Sequence, residues 1–261
     1  MAAGRKTKSL LPHEHGAYGQ FAVPLATGLA LGRPTPGALL LAVAATCGFL
    51  AYEPLLVLAG QRGRRALEQQ GARARRTALP LLGSAVALGA LGFLLSPPLA
   101  RWAALAPPLL AGLVALLVWW DAERTTAGEM VVATALSSCG YPVALAAGAR
   151  LGAAASAWLA WAMAFAAATL AVQSLLARAR GAPRDPGLRA AIAVVAILAA
   201  AVATAALGAG SWAVPAAVLP VALASLWVVI FRVPPRQLKR VGWTILCATV
   251  ASSVALVAGL R

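Results

Sequence analysis

The chain has 261 residues, 61% of them hydrophobic and only 11% charged, with a formal net charge of +15. A soluble domain carries about 25% charged residues, so a soluble globular fold is not expected. The basic excess does not point to a nucleic-acid partner, because the arginines lie in short loops between apolar blocks and not on a face with interleaved aromatics.

Residues 78–100 and 190–231 contain no charge at all. A span needs roughly 20 apolar residues, so the first block crosses a bilayer once and the second twice. Reading blocks and breaks in chain order predicts an all-α polytopic transmembrane bundle of about nine spans in a single domain, 1–261. The first span, 17–32, is short. It follows a basic lead (Arg5, Lys6, Lys8) that Pro12-His13-Glu14-His15 interrupts, so the lead is read as cytoplasmic and retained rather than as a cleavable signal. The second span covers 36–59 and the third 78–96. The fourth covers 102–120, the fifth 129–148 and the sixth 153–177. The last three are 189–208, 211–231 and 241–260.

The loops orient the bundle. With the N-terminus inside, eighteen of the 22 basic residues fall on the cytoplasmic side, and only Arg33, Arg101, Arg150 and Arg261 fall outside. Cytoplasmic loops attract Lys and Arg, so the N-terminus is expected in the cytoplasm and the C-terminus outside. The loop after span two has room for a short interfacial helix across Arg64–Arg73. Trp102, Trp119, Trp120, Trp158, Trp212 and Trp243 lie near span ends and read as an aromatic belt. Cys47, Cys139 and Cys247 sit in apolar blocks without a CxxC spacing and read as small buried hydrophobes.

The acids and histidines carry the functional signal. All seven acids lie at or near the inner side, as do both histidines, and the positive-inside rule does not account for them. Polar groups in or beside spans should face the bundle interior. Glu53 sits in span two, roughly 9 Å from its inner end at 1.5 Å per residue, with Pro54 after it to bend the helix. It suits either a salt bridge to an inner arginine or a substrate, ion or proton site. Glu14 and His15 open span one and suit hydrogen-bonding or acid–base roles. The His13-Glu14-His15 spacing fixes no third metal ligand and is not HExxH, so no metal is expected there.

Asp121 and Glu123 end span four beside Arg124. Thr126-x-x-Glu129 matches a capping box, which accounts for Glu129 structurally. Paired carboxylates there suit Mg²⁺ or proton handling. Gln173 and Arg178 lie toward the inner end of span six, where arginines suit a phosphate or anionic lipid headgroups. The candidate ligand-binding set is therefore Glu14, His15, Glu53, Asp121, Glu123, Arg124, Gln173 and Arg178.

The opening Pro12-His13-Glu14-His15-Gly16-Ala17-Tyr18, the Asp121-Ala122-Glu123-Arg124 stretch and the closing basic loop resemble the YwiC-like bacterial membrane proteins, with Tyr18 standing where a Trp is expected. That resemblance implies a class without a settled activity. The nine-span layout is also similar to UbiA-type prenyltransferases, whose Asp-rich motifs after spans two and six bind Mg²⁺ and a prenyl pyrophosphate. This chain departs there: Glu68 is the acid of 61–76 and Asp185 that of 178–189. The reading is a membrane protein with a cytoplasm-facing polar pocket that binds a small anionic or lipid-like ligand, with membrane lipids around it. The alternatives are a prenyl-transfer-related enzyme and a proton-coupled transporter. No catalytic residue and no cofactor is assigned.

Overall fold

The computed structural model describes residues 10–12, 15–181 and 185–261, with His15 and Pro235 described by backbone alone. The described residues are helices and their turns, without a strand. Helix α1 spans His15–Leu31, α2 Pro36–Leu58 and α3 Arg64–Leu95. The fourth traverse is α4 (Pro98–Ala103) and α5 (Ala106–Trp119), and the fifth is α6 (Thr126–Ser138) and α7 (Gly140–Ala146). Then come α8 (Leu151–Ala179), α9 (Gly187–Ala206), α10 (Ala213–Ile230) and α11 (Leu238–Leu260), the last preceded by a 3-10 turn at Pro235–Gln237.

Among the described residues, eight segments are long and apolar enough to cross a membrane, counting α4–α5 and α6–α7 once each. The ninth, α1, has 17 residues, about 26 Å at 1.5 Å per residue. It is bounded by its start at His15 and by Gly32-Arg33-Pro34, where Pro34 cannot continue a helix.

Two boundaries differ from the sequence reading in an informative way. Residues 64–77 are not a separate interfacial helix. They are the first turns of α3, because Arg, Ala, Leu, Glu and Gln are strong helix formers and nothing interrupts the ladder before Pro80. The fourth traverse starts at Pro98 and turns at Ala104–Leu105, ahead of Pro107 and Pro108 at the start of α5.

The centre of the bundle is α8 and α10, whose apolar windows are 56% and 61% buried, against 11% for α3. α3 packs along α2 as an antiparallel hairpin and otherwise presents Leu79, Val86 and Leu94 outward, the pattern of a lipid-facing helix. The core is rich in alanine, from Ala153 through Ala171 on α8 and from Ala213 to Ala224 on α10. Small residues let helices approach closely where apolar burial gives no advantage over lipid.

The closest approach is between α1 and α7. A Cβ on Gly28 would lie 2.4 Å from the Gly140 carbonyl oxygen, and one on Gly140 2.4 Å from that of Pro24. At the end of the bundle shared by Leu31 and Ala146, the Arg33 amide donates to the Ala147 carbonyl at 2.8 Å. The Thr35 hydroxyl donates to the Ala146 carbonyl at 2.8 Å and accepts from the Ala38 amide at 3.1 Å, so it caps α2 as well.

Candidate functional site

The opposite end of the bundle holds the acids. Glu53 is 4% exposed, buried on α2 five residues before its end at Leu58. Its partner is Arg62. After α2 the chain turns through Gly60 and Gly63, both at positive φ (+79° and +89°), which a residue with a side chain adopts only under strain. That turn returns Arg62 to the helix it has just left. Arg62 donates through Nε to Glu53 Oε1 at 2.8 Å and through Nη2 to Oε2 at 2.5 Å. This bidentate fork matches the planar guanidinium to the planar carboxylate.

Aromatic rings stand above the pair. Phe49, one turn along α2 from Glu53, stacks on Phe21 at 4.7 Å and meets Tyr18 edge-on at 5.2 Å. Rings therefore join α1 to α2 at this level. Toward the Leu58 end of α2, Glu53 is four residues past Phe49 and His15 three residues before Tyr18. At about 1.5 Å per residue, Glu53 and the first residue of α1 lie at nearly one depth. The lead folds back onto the same place: Leu10 is buried against Val57 and Ala74, and Pro12 is buried too. Glu14 lies outside the described residues, as does the side chain of His15.

The loop between α5 and α6 supplies the next group. α2, α5 and α6 meet through Tyr52, Leu56, Val114, Val118 and Ala135. Asp121 is exposed at φ +53°. Its amide bonds to the Val118 carbonyl and that of Ala122 to Leu117, so Asp121 occupies the left-handed position that closes α5. This gives Asp121 a structural role. Glu123 turns inward, with its Oε1 3.4 Å from Arg124 Nε and its Oε2 buried without a hydrogen-bond partner. Arg124 itself is exposed.

The capping box is a correction. Thr125, not Thr126, caps α6: its hydroxyl accepts from the Gly128 amide at 3.0 Å and donates to the Ala122 carbonyl at 2.7 Å. A Cβ at 128 would lie 2.1 Å from that same carbonyl, so glycine stands where the box places glutamate. Glu129 is half-buried in the first turn, where the helix dipole favours a carboxylate.

A third group lies at the C-terminal ends of α8 and α10. Arg178 folds back along its own helix to the Ser174 carbonyl at 3.3 Å, and Gln173 is half-buried beside it in sequence. Asp185 accepts from the Gly187 amide at 2.9 Å and from Arg232 Nη2 at 2.9 Å. Arg232, at φ +48°, closes α10 as Asp121 closes α5, which aims it at the α8–α9 loop. The carboxyl of Asp185 is held below the ordinary aspartate range, mainly by the Gly187 amide and secondarily by the charges of Arg232 and Arg178.

A folded value below the unfolded one means the contact stabilises the chain above the ordinary aspartate range. It is lost as pH falls through the lowered value. Carboxyl NMR titration of Arg232→Gln should move the Asp185 midpoint only part of the way back up. A full return to the ordinary value would show that Arg232, not the amide, dominates.

The candidate residues thus form local groups at one end of the bundle. Glu53 is the buried member of its pair, and Arg62 is the residue that the sequence reading left unnamed. Among the described residues, no group of three or more His, Cys, Asp or Glu is close enough to hold a metal ion. Glu68, in the loop compared with the Asp-rich motifs, pairs with Arg64 at 3.3 Å.

Comparison with known proteins adds the family. No curated protein matches the chain, and no solved structure does. The family description "YwiC-like protein" matches residues 11–145, just over half of the chain, from just before α1 into α7. The match takes in α1, Glu53, Arg62 and the Asp121–Arg124 loop, and on it the chain belongs to the YwiC-like protein family.

Proposed function

We propose that this multi-pass membrane protein uses the Glu53–Arg62 end of the bundle, facing the cytoplasm of a bacterial inner membrane, to bind a small anionic or lipid-like ligand. The observation that carries the reading is the fork itself. A carboxylate held bidentately by an arginine occupies the geometry that a phosphate or carboxylate of a ligand would take. Arg62 is 29% exposed on its side chain while Glu53 is 5% exposed, so the guanidinium is the more solvent-accessible half of the pair. The aromatic rings of Tyr18 and Phe49 lie one turn away and suit the apolar part of a lipid-like molecule. The one-sided distribution of basic residues supports the orientation.

In this reading Glu53 competes with the ligand for Arg62. Calorimetric titration of the solubilised protein with inorganic phosphate and with a short-chain phosphatidylglycerol tests it. Glu53→Gln should tighten binding about tenfold, the equivalent of ~1.4 kcal/mol, and the double variant E53Q/R62Q should abolish it. Equal affinity in both variants would overturn the reading. Tight binding of the lipid without the phosphate would assign the apolar part to the site as well.

Prenyl transfer gains no support from this geometry, since Glu68 and Asp185 are each engaged by an arginine.

A further inference from the structure

Two tryptophans do not belong to the aromatic belt. Trp102, Trp119, Trp120, Trp212 and Trp243 are exposed near helix ends, as a belt requires. Trp158, read with them from the sequence, is half-buried and stacks on Tyr141 at 5.6 Å. Trp161, one turn further along α8, is 1% exposed and stacks on Phe165. The indole Nε1 of each is buried without a hydrogen-bond partner.

Trp161 lies ten residues into α8, about 15 Å from its start, which is half of a ~30 Å hydrocarbon layer. Nothing at that depth satisfies an indole N–H by solvation. Buried donors in folded proteins are paired in the large majority of cases, so two neighbouring orphans call for a shared explanation.

Both indoles line one small void between α1, the α6–α7 junction and α8, together with Pro24, Ser137 and Gly140. It offers about 10 Å³ for the centre of a water molecule, close to the ~10–15 Å³ that one water needs. Ser137 in its wall supplies an acceptor: its hydroxyl donates to the Thr134 carbonyl at 3.0 Å, which leaves the oxygen lone pairs to accept. One water molecule therefore has two donors to accept from and the Ser137 oxygen to donate to, the three hydrogen bonds typical of buried waters.

We propose that this void is a binding site for a single water molecule held by the indole N–H groups of Trp158 and Trp161 in the middle of the membrane. It places a polar link where α1, α7 and α8 cross, beside the proline that already removes one backbone hydrogen bond from α1.

Ultraviolet resonance Raman difference spectra report whether an indole N–H is hydrogen-bonded. Subtracting the W158F and the W161F spectra from that of the unmodified protein isolates each ring, and phenylalanine keeps the stacking while deleting the donor. Hydrogen-bonded N–H bands are expected in both differences. Ala157→Leu, which fills the void from α8, should shift them to the free N–H position. Free N–H bands in the unmodified protein would overturn the proposal. So would bonded bands that Ala157→Leu leaves in place, because the acceptor would then lie elsewhere. Each of W158F and W161F tests it alone if the filling variant fails to fold.

Discussion

Arg62→Gln should destabilise the folded protein by about 3 kcal/mol or more, while Glu53→Gln should destabilise it considerably less. The asymmetry follows from burial. Removing Arg62 strands a carboxylate that is 4% exposed, and an uncompensated buried charge costs roughly 3–5 kcal/mol. Removing the charge of Glu53 leaves a guanidinium that is 29% exposed on its side chain and can reach water. The double variant E53Q/R62Q should recover much of the loss seen in Arg62→Gln, since neither charge is then left alone. Unfolding in mild detergent, followed by circular dichroism, gives the three values. Equal losses for both single variants would mean that Glu53 is wetter than its position implies.

The second large effect is at the crossing of α1 and α7. Gly28→Ala and Gly140→Ala should each cost about 1–3 kcal/mol, the usual range for overpacking a filled interior. Each new methyl would lie 2.4 Å from a backbone oxygen of the facing helix, and a backbone cannot swing aside as a side chain can. Gly112, a helical glycine with nothing near its Cβ position, is the control. Gly112→Ala should be neutral or slightly stabilising, because alanine has the higher helix propensity. A thermal-shift series across the three variants checks both expectations, and a loss at Gly112 equal to those at Gly28 and Gly140 would refute the contact argument.

The bundle itself was legible because long uncharged runs have one physical outlet. The stretch 190–231 divides into α9 and α10 within a few residues of the expected boundaries, with Gly208 at φ +72° in the turn between them. The extension of α3 was not legible in the same way. Arg64, Arg73, Arg75 and Arg76 end the hydropathy signal, yet they do not end a helix, since hydropathy reads the solvent and helix propensity reads the backbone.

The site was half visible. Glu53 stood out because a carboxylate inside a span is expensive wherever it goes. Its partner did not stand out, since six arginines occupy 60–77 and only the turn through Gly60 and Gly63 selects Arg62. The cap of α6 was displaced by one residue because Thr125 and Thr126 are chemically alike, and the choice rests on the room at Gly128. Trp158 looked like a belt residue from its distance to a span end. Depth along a helix says nothing about which face its neighbours cover.

α8 and α10, which carry two of the three most buried apolar windows, are made after everything in the family-matched stretch 11–145. During synthesis the first seven helices reach the bilayer before α8, against which α1, α6 and α7 pack. The α2–α3 hairpin has its own extensive packing and its own ion pair at Glu53 and Arg62, so it is suited to hold its shape during that interval. α1 and α6–α7 also lean on α8, so their final seating waits for it. The order of translation thus separates an early scaffold, which carries Glu53 and Arg62, from a late wedge that locks the remaining helices around it.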